Sequence, residues 1–119
     1  MEIFKEFTFD AAHFLPYVPE GHKCGRMHGH TYRVVVAVTG EVDPDTGFII
    51  DFGDLKEVVK PIIDDLDHQV LNDTFENPTA ENLVNALWEW FEDELPVSLS
   101  SLEVWETPTS GARRRAVFG

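Results

Sequence analysis

The run Cys24-Gly25-Arg26-Met27-His28-Gly29-His30 holds the only cysteine of the chain and two histidines separated by one glycine. On an extended backbone, residues two apart point to the same side, so His28 and His30 can aim both imidazoles at one point. A His-x-His pair alone is a weak sign of metal binding. An open catalytic zinc site takes three protein ligands and keeps one position free. His13 can be the third, since it ends the first strand segment and a strand paired beside residues 28–36 brings it close. The plain alternative is a partly buried imidazole donating to a backbone carbonyl. Cys24 has three readings: a fourth ligand, a small buried apolar residue, or a reactive thiol. Its neighbours Lys23 and Arg26 favour the third, because nearby cations stabilise the thiolate. His22 lies in a loop with no fixed facing and is assigned no role.

Two further places carry chemistry. In Asp67-His68 a carboxylate beside an imidazole can fix its tautomer and raise its basicity, which suits proton transfer near neutral pH; a helix-end histidine beside a solvated aspartate is the alternative. Glu106 falls on the same side of its strand as Leu102 and Val104. A carboxylate on an apolar face is costly unless paired, and it can accept two hydrogen bonds from a flat, amidine-like ligand edge. Otherwise it is a strand-end residue reaching solvent.

The elements that must position these residues can be read from periodicity. Residues 3–9 have strand composition, residues 16–29 form a loop, and residues 30–39 are a strand rich in β-branched residues. Asp43-Pro44-Asp45-Thr46-Gly47 is a turn, from which Phe48-Ile49-Ile50 returns as a short hairpin strand. Asp51 caps a helix whose apolar face is Leu55, Val58, Val59, Ile62, Ile63 and Leu66. It ends near Asp67-His68, and Pro61 inside it is expected to bend it or shift its start. Thr79 caps a second helix containing Leu83, Leu87, Trp90, Phe91 and Glu94, ended by Pro96. Residues 101–107 and 112–118 read as two strands joined by a Pro-Thr-Ser-Gly turn. The expected fold is α+β, with an antiparallel sheet and two helices on one face in ββααββ order. A small sheet leaves open edges, so pairing between copies is expected.

A chain of 119 residues with 43% apolar residues suits one domain, residues 1–119, with a real core. No apolar run approaches the roughly 20 residues of a membrane span, and no signal peptide is visible. One cysteine fits a reducing cytoplasm. The net charge of −13 argues against general nucleic-acid binding. Only four of the nine cations are lysine, a balance that suits either a salt-rich cell interior or an ordinary acidic surface.

His13, the Cys24-to-His30 run, the Asp51-Phe52 helix start, Asp67-His68, the run Asn77-Pro78-Thr79-Ala80-Glu81-Asn82 and Glu106-Thr107 resemble, in this order and over nearly the whole chain, the 6-pyruvoyltetrahydropterin synthase family. The likeness is strongest to the branch of 6-carboxytetrahydropterin synthases of queuosine and 7-deazaguanine biosynthesis. Three residues separate Cys24 from His28, where the biopterin-making branch has a longer spacer. A folate-pathway branch has Glu where Cys24 stands. The resemblance implies that His13, His28 and His30 bind zinc, that Cys24 is the catalytic thiol, and that Asp67 and His68 are its proton-relay partners. Glu106 would anchor the pyrimidine edge of a small-molecule pterin, with Thr79, Glu81 and Thr107 nearby. It also implies the tunnelling fold (T-fold), a four-stranded antiparallel sheet with two helices. Subunits would join by sheet edges into trimers stacked as hexamers, with active sites between subunits. The implied reaction is a lyase step on 7,8-dihydroneopterin triphosphate giving 6-carboxy-5,6,7,8-tetrahydropterin, acetaldehyde and triphosphate. The alternatives are a sibling that stops at 6-pyruvoyltetrahydropterin or acts on sepiapterin-like compounds, and a non-catalytic zinc- or pterin-binding module. A triphosphate needs local cations, for which Lys23, Arg26 and the Arg113-Arg114-Arg115 run are candidates, unless the last are solvated edge charges. After Thr107 the tail departs from the family pattern.

Overall fold

The β-branched run Val34-Val35-Val36 lies at the centre of a sheet, and the other strands assemble on either side of it. The computed structural model describes residues 1–117. Its elements in chain order are β1 (Glu2–His13), β2 (His28–Thr39), α1 (Phe52–Leu66), β3 (Gln69–Val70), α2 (Ala80–Glu94), β4 (Ser98–Thr107) and β5 (Ser110–Arg115). Two 3-10 turns, Lys23–Gly25 and Leu71–Asp73, lie in the connections. The sheet order is β3-β1-β2-β4-β5. The β1–β2, β2–β4 and β4–β5 pairs are antiparallel, and β3 runs parallel to β1.

Side-chain alternation sends Phe7, Phe9, Ala11 and His13 of β1 to one face, with Tyr32, Val34, Val36 and Val38 of β2 and Leu102 and Val104 of β4. That face meets Leu55, Val59, Ile63 and Leu66 of α1 and Leu83, Val84, Leu87, Trp88 and Phe91 of α2. Both helices therefore cover one face of the sheet, as expected. Asp51 caps α1 by accepting from the Gly53 N–H, and Thr79 caps α2 by accepting from the Asn82 N–H. The opposite face carries a polar lattice in which Arg33 reaches Glu6 at 3.0 Å and stacks over Trp105, while Arg113 reaches Glu103 at 3.1 Å.

Several expectations need correction. The sheet has five strands rather than four, because the two-residue β3 adds a parallel edge beside Ala11 and Ala12. Residues 48–50 form no strand. The Asp43 carboxylate accepts from the N–H groups of Asp45 and Thr46, and the Asp43 N–H donates to the Phe48 carbonyl, so the turn closes on itself. Both edges of β2 are already taken by β1 and β4, so no partner remains there for a hairpin strand. The helix α1 starts at Phe52 and runs through Pro61. The missing proline N–H falls on an exposed stretch, where the orphaned carbonyl can be solvated. Trp90 is partly exposed and Trp88 takes the core position instead. The turn after β4 is only Pro108-Thr109, and β5 spans 110–115 rather than 112–118, of which position 118 lies outside the described residues.

Candidate active site

The β1–β2 register places His13 opposite His28 and Ala11 opposite His30. Directly opposed residues share a face, so all three imidazoles converge beneath the end of the sheet. Their ring centroids lie 4.6, 5.1 and 4.9 Å apart for the pairs 13–28, 13–30 and 28–30. One nitrogen from each lies within 4.8 Å of the other two. The His13 Nδ1–H donates to the Pro78 carbonyl at 2.8 Å, and the His28 Nδ1–H donates to the Arg26 carbonyl at 2.7 Å. A carbonyl can only accept, so both rings keep the proton on Nδ1 and a lone pair on Nε2. The Nε2 atoms of His13 and His30 are buried without a hydrogen-bond partner among the described residues. Such groups are costly, and a cation held by three imidazoles would satisfy them, so the donor set fits zinc. Burial lowers the pKa of both His13 and His30; the hydrogen bond to the Pro78 carbonyl opposes this at His13 and Glu106 opposes it at both, while the neighbouring imidazoles add to it. Low basicity keeps the rings neutral, the form that ligates.

Glu106 lies where β4 is irregular, between Trp105 and Thr107. Its carboxylate sits 3.8 Å from His30 Nε2 and stays half-buried, so the structure brings it to the histidines. Tyr32 closes the floor of the cluster, fully buried, with its hydroxyl 3.3 Å from His13 Nδ1. Burial and the nearby Glu106 carboxylate both raise its pKa, so the phenol stays protonated. Thr79 follows Pro78 directly as the cap of α2. Glu81 is exposed in the first turn of that helix, and Thr107 accepts from the Thr109 N–H at the β4 end.

Cys24 is half-buried in the turn Lys23–Gly25 and is not part of the close histidine set. Its N–H donates to His22 Nδ1 at 3.0 Å, and its carbonyl accepts from the Leu15 N–H at 2.8 Å. His22 therefore has a structural role that a loop position did not announce. Lys23, within the turn, and Arg26, which follows it, are both exposed. Of the arginine run, Arg113 pairs with Glu103, while Arg114 stacks over Trp88 and donates to Asn85, so the strand alternation splits the run across two faces.

Asp67 and His68 form a second cluster with Asp10. The Asp67 carboxylate accepts from the Asp10 N–H at 2.9 Å and lies 2.9 Å from His68 Nδ1. The Asp10 N–H hydrogen bond is the largest cause of a lowered Asp67 pKa, and the hydrogen bond to Asp67 is the largest cause of a raised His68 pKa. The Asp10 side chain accepts from the Thr31 hydroxyl at 2.5 Å. Asp10 and Thr31 are register partners, and they point away from the face that carries the histidines. Asp10 was not foreseen; its exposed place opposite a threonine on the neighbouring strand was the available signal. A cleft of about 510 Å³ over this end of the sheet is lined by Asp10, Thr31, His68 and His30. A larger one, about 600 Å³ beside Trp88 and Pro96, lies at the other end of β2 and holds, of the candidate residues, only Arg114 and Arg115.

The family model described as 6-pyruvoyl tetrahydropterin synthase matches residues 2–116. A relative from Synechocystis sp. named 6-carboxy-5,6,7,8-tetrahydropterin synthase is 42% identical over 118 residues, covering 93% of this chain and 90% of its own. One from Pyrococcus furiosus named dihydroneopterin monophosphate aldolase is 40% identical over 103 residues, covering 83% of each. The solved structure of Caenorhabditis elegans 6-pyruvoyl tetrahydropterin synthase superposes with a TM-score of 0.88 at 25% identity, covering 98% of this chain and 96% of that one.

Proposed function

The chain belongs to the 6-pyruvoyl tetrahydropterin synthase family, and from that premise we propose that it is a zinc-dependent 6-carboxy-5,6,7,8-tetrahydropterin synthase. It would act on 7,8-dihydroneopterin triphosphate, consume one water, release triphosphate and acetaldehyde, and serve queuosine or related 7-deazaguanine synthesis in the cytoplasm. The observation that carries the reading is the convergence of His13, His28 and His30, with two buried Nε2 atoms unpartnered, beside a loop that carries the only cysteine.

His13, His28 and His30 would hold the zinc, which when bound would supply Lewis acidity toward side-chain hydroxyls of the substrate. Glu106 accepts two hydrogen bonds from the pyrimidine edge and fixes the pterin plane, with Thr79, Glu81 and Thr107 around it. The Cys24 thiolate takes a proton from the substrate side-chain carbon. His68, charged and oriented by Asp67, exchanges protons on the other side. Lys23 and Arg26 receive the triphosphate. Because Asp10 and Thr31 face away from the histidines, Asp67 and His68 are assigned to the site of a neighbouring copy in a trimer or hexamer. Residues 1–119 are taken as one such unit.

The Pyrococcus relative supports a second reading, in which the chain cleaves a dihydroneopterin monophosphate without eliminating triphosphate. Purified protein, assayed for bound metal and given 7,8-dihydroneopterin triphosphate, decides between them. The expected result is one zinc per chain, with 6-carboxytetrahydropterin, acetaldehyde and triphosphate as products. A pyruvoyl product, or turnover only of the monophosphate, would overturn the first reading.

A further inference from the structure

Asn72 sits in the 3-10 turn Leu71–Asp73, directly after β3. Its side-chain amide makes two hydrogen bonds to one residue. The Phe14 N–H donates to Asn72 Oδ1 at 3.0 Å, and Asn72 Nδ2 donates to the Phe14 carbonyl at 2.8 Å. Phe14 is the first residue past β1, and β3 has already ended at Val70. Its backbone groups would otherwise lack a neighbouring strand, and buried backbone groups need partners. The Asn72 amide supplies a donor and an acceptor together, as a strand backbone does.

The next residue carries the hold onward. The Leu15 N–H donates to the Cys24 carbonyl at 2.8 Å. One peptide link therefore separates the Asn72 grip from the backbone of Cys24. The same connection also fixes the histidine side: the His68 N–H donates to the Asp10 carbonyl, and the Pro78 carbonyl receives the His13 Nδ1–H. Residues 68–78 thus brace β1, His13 and the cysteine loop as one unit.

We infer that Asn72 is a positioning residue that sets the place of the Cys24 thiol relative to the three histidines. The inference rests on the reading of Cys24 as the working thiol. Asn72 touches no reacting atom and acts through Phe14, Leu15 and the turn Lys23–Gly25.

Cys24 is the only cysteine, so alkylation of the native protein by iodoacetamide reports on it alone. The test compares wild type with Asn72→Ala, which removes both bonds, and Asn72→Asp, which keeps the acceptor for the Phe14 N–H and has the smaller risk of unfolding. Each zinc-loaded variant is checked for fold by circular dichroism and for zinc content, then alkylated across a range of pH so that access and thiolate fraction separate. Both folded variants are expected to keep zinc, to alkylate several-fold faster, and to lose kcat by about 10- to 100-fold with KM little changed, the cost of a small misplacement. A folded Asn72→Asp protein that alkylates at the wild-type rate with unchanged kcat overturns the inference. Cys24→Ala separates the two ideas. If it keeps turnover, the role given to the thiol fails while the alkylation rates still decide the grip. If it loses turnover and the Asn72 variants alkylate like wild type, the inference about Asn72 fails and the role of the thiol stands.

Discussion

The histidine cluster and the Asp10–Asp67–His68 cluster lie at the same end of one sheet and are built in opposite ways. In the first, His13 is buried and His28 and His30 are half-buried; burial lowers the basicity of His13 and His30, and backbone carbonyls set the ring tautomers of His13 and His28. The second is exposed, and its carboxylate and imidazole shift each other toward their charged forms. Desolvation penalises charge and so produces neutral ligands, whereas a solvent-facing pair keeps charge and can exchange protons. The backbones differ as well. Among the described residues, His68 is the only non-glycine with positive φ, at 59°, in the place after a helix end that glycine usually takes. Strain of this kind collects at working sites.

The largest effect expected from disturbing the contrast is at the buried cluster. His28→Ala removes one of three ligands, so bound zinc and turnover should both be lost. Metal analysis of the purified variant checks this, and a fully zinc-loaded His28→Ala protein would remove His28 from the ligand set. The next effect tests whether the two clusters serve one site across a boundary between copies. Cys24→Ala and His68→Ala chains, each inactive alone, should recover part of the activity when unfolded and refolded together. No recovery would place both residues in the site of a single chain.

A smaller effect is expected in titration. Asp67→Asn keeps an oxygen for the Asp10 N–H but removes the charge, so the His68 pKa should fall back toward the ordinary imidazole range, as read by NMR of its ring protons. The sign for stability follows from the two shifts. The Asp67 part is present above the ordinary carboxylate range and fades as pH falls through its lowered value. The His68 part is complete below the ordinary imidazole range and fades as pH rises through its raised value. The pair thus supports the fold between those limits, modestly, because both groups are exposed. The smallest effect concerns backbone strain: His68→Gly should be more stable than His68→Ala by about 1 kcal/mol in chemical denaturation, although both lack the imidazole. Equal stabilities would mean that the positive φ stores nothing.

Which of this could be read from the chain alone follows from the range of the interactions. The β-branched richness of residues 30–39, the His-x-His spacing of His28 and His30 and the three-and-four spacing of Leu55 to Leu66 are local, and they give β2, the convergence of the two imidazoles and α1. His13 needed only one strand pairing. Residues 48–50 have the composition of a strand, while their fate depends on β2 having both edges occupied. β3 is two residues long and exists because α1 delivers the chain beside Ala11 and Ala12. Asp10, Asn72 and the carbonyl of Pro78 join the site through contacts distant in sequence, for which no periodicity gives a sign. The separation of Asp67-His68 from the histidines depends on which face of β1 each side of the register uses. That is a property of pairing rather than of either motif.

The proposed chemistry requires Cys24 to work beside a metal that it does not bind. The most direct measurement is zinc content together with product formation from 7,8-dihydroneopterin triphosphate in Cys24→Ala. The predicted result is zinc at the wild-type level with turnover reduced by about 100- to 10,000-fold, the usual contribution of a positioned proton-transfer group. Loss of zinc would make Cys24 a ligand, and zinc-loaded protein with undiminished turnover would leave the thiol without a role.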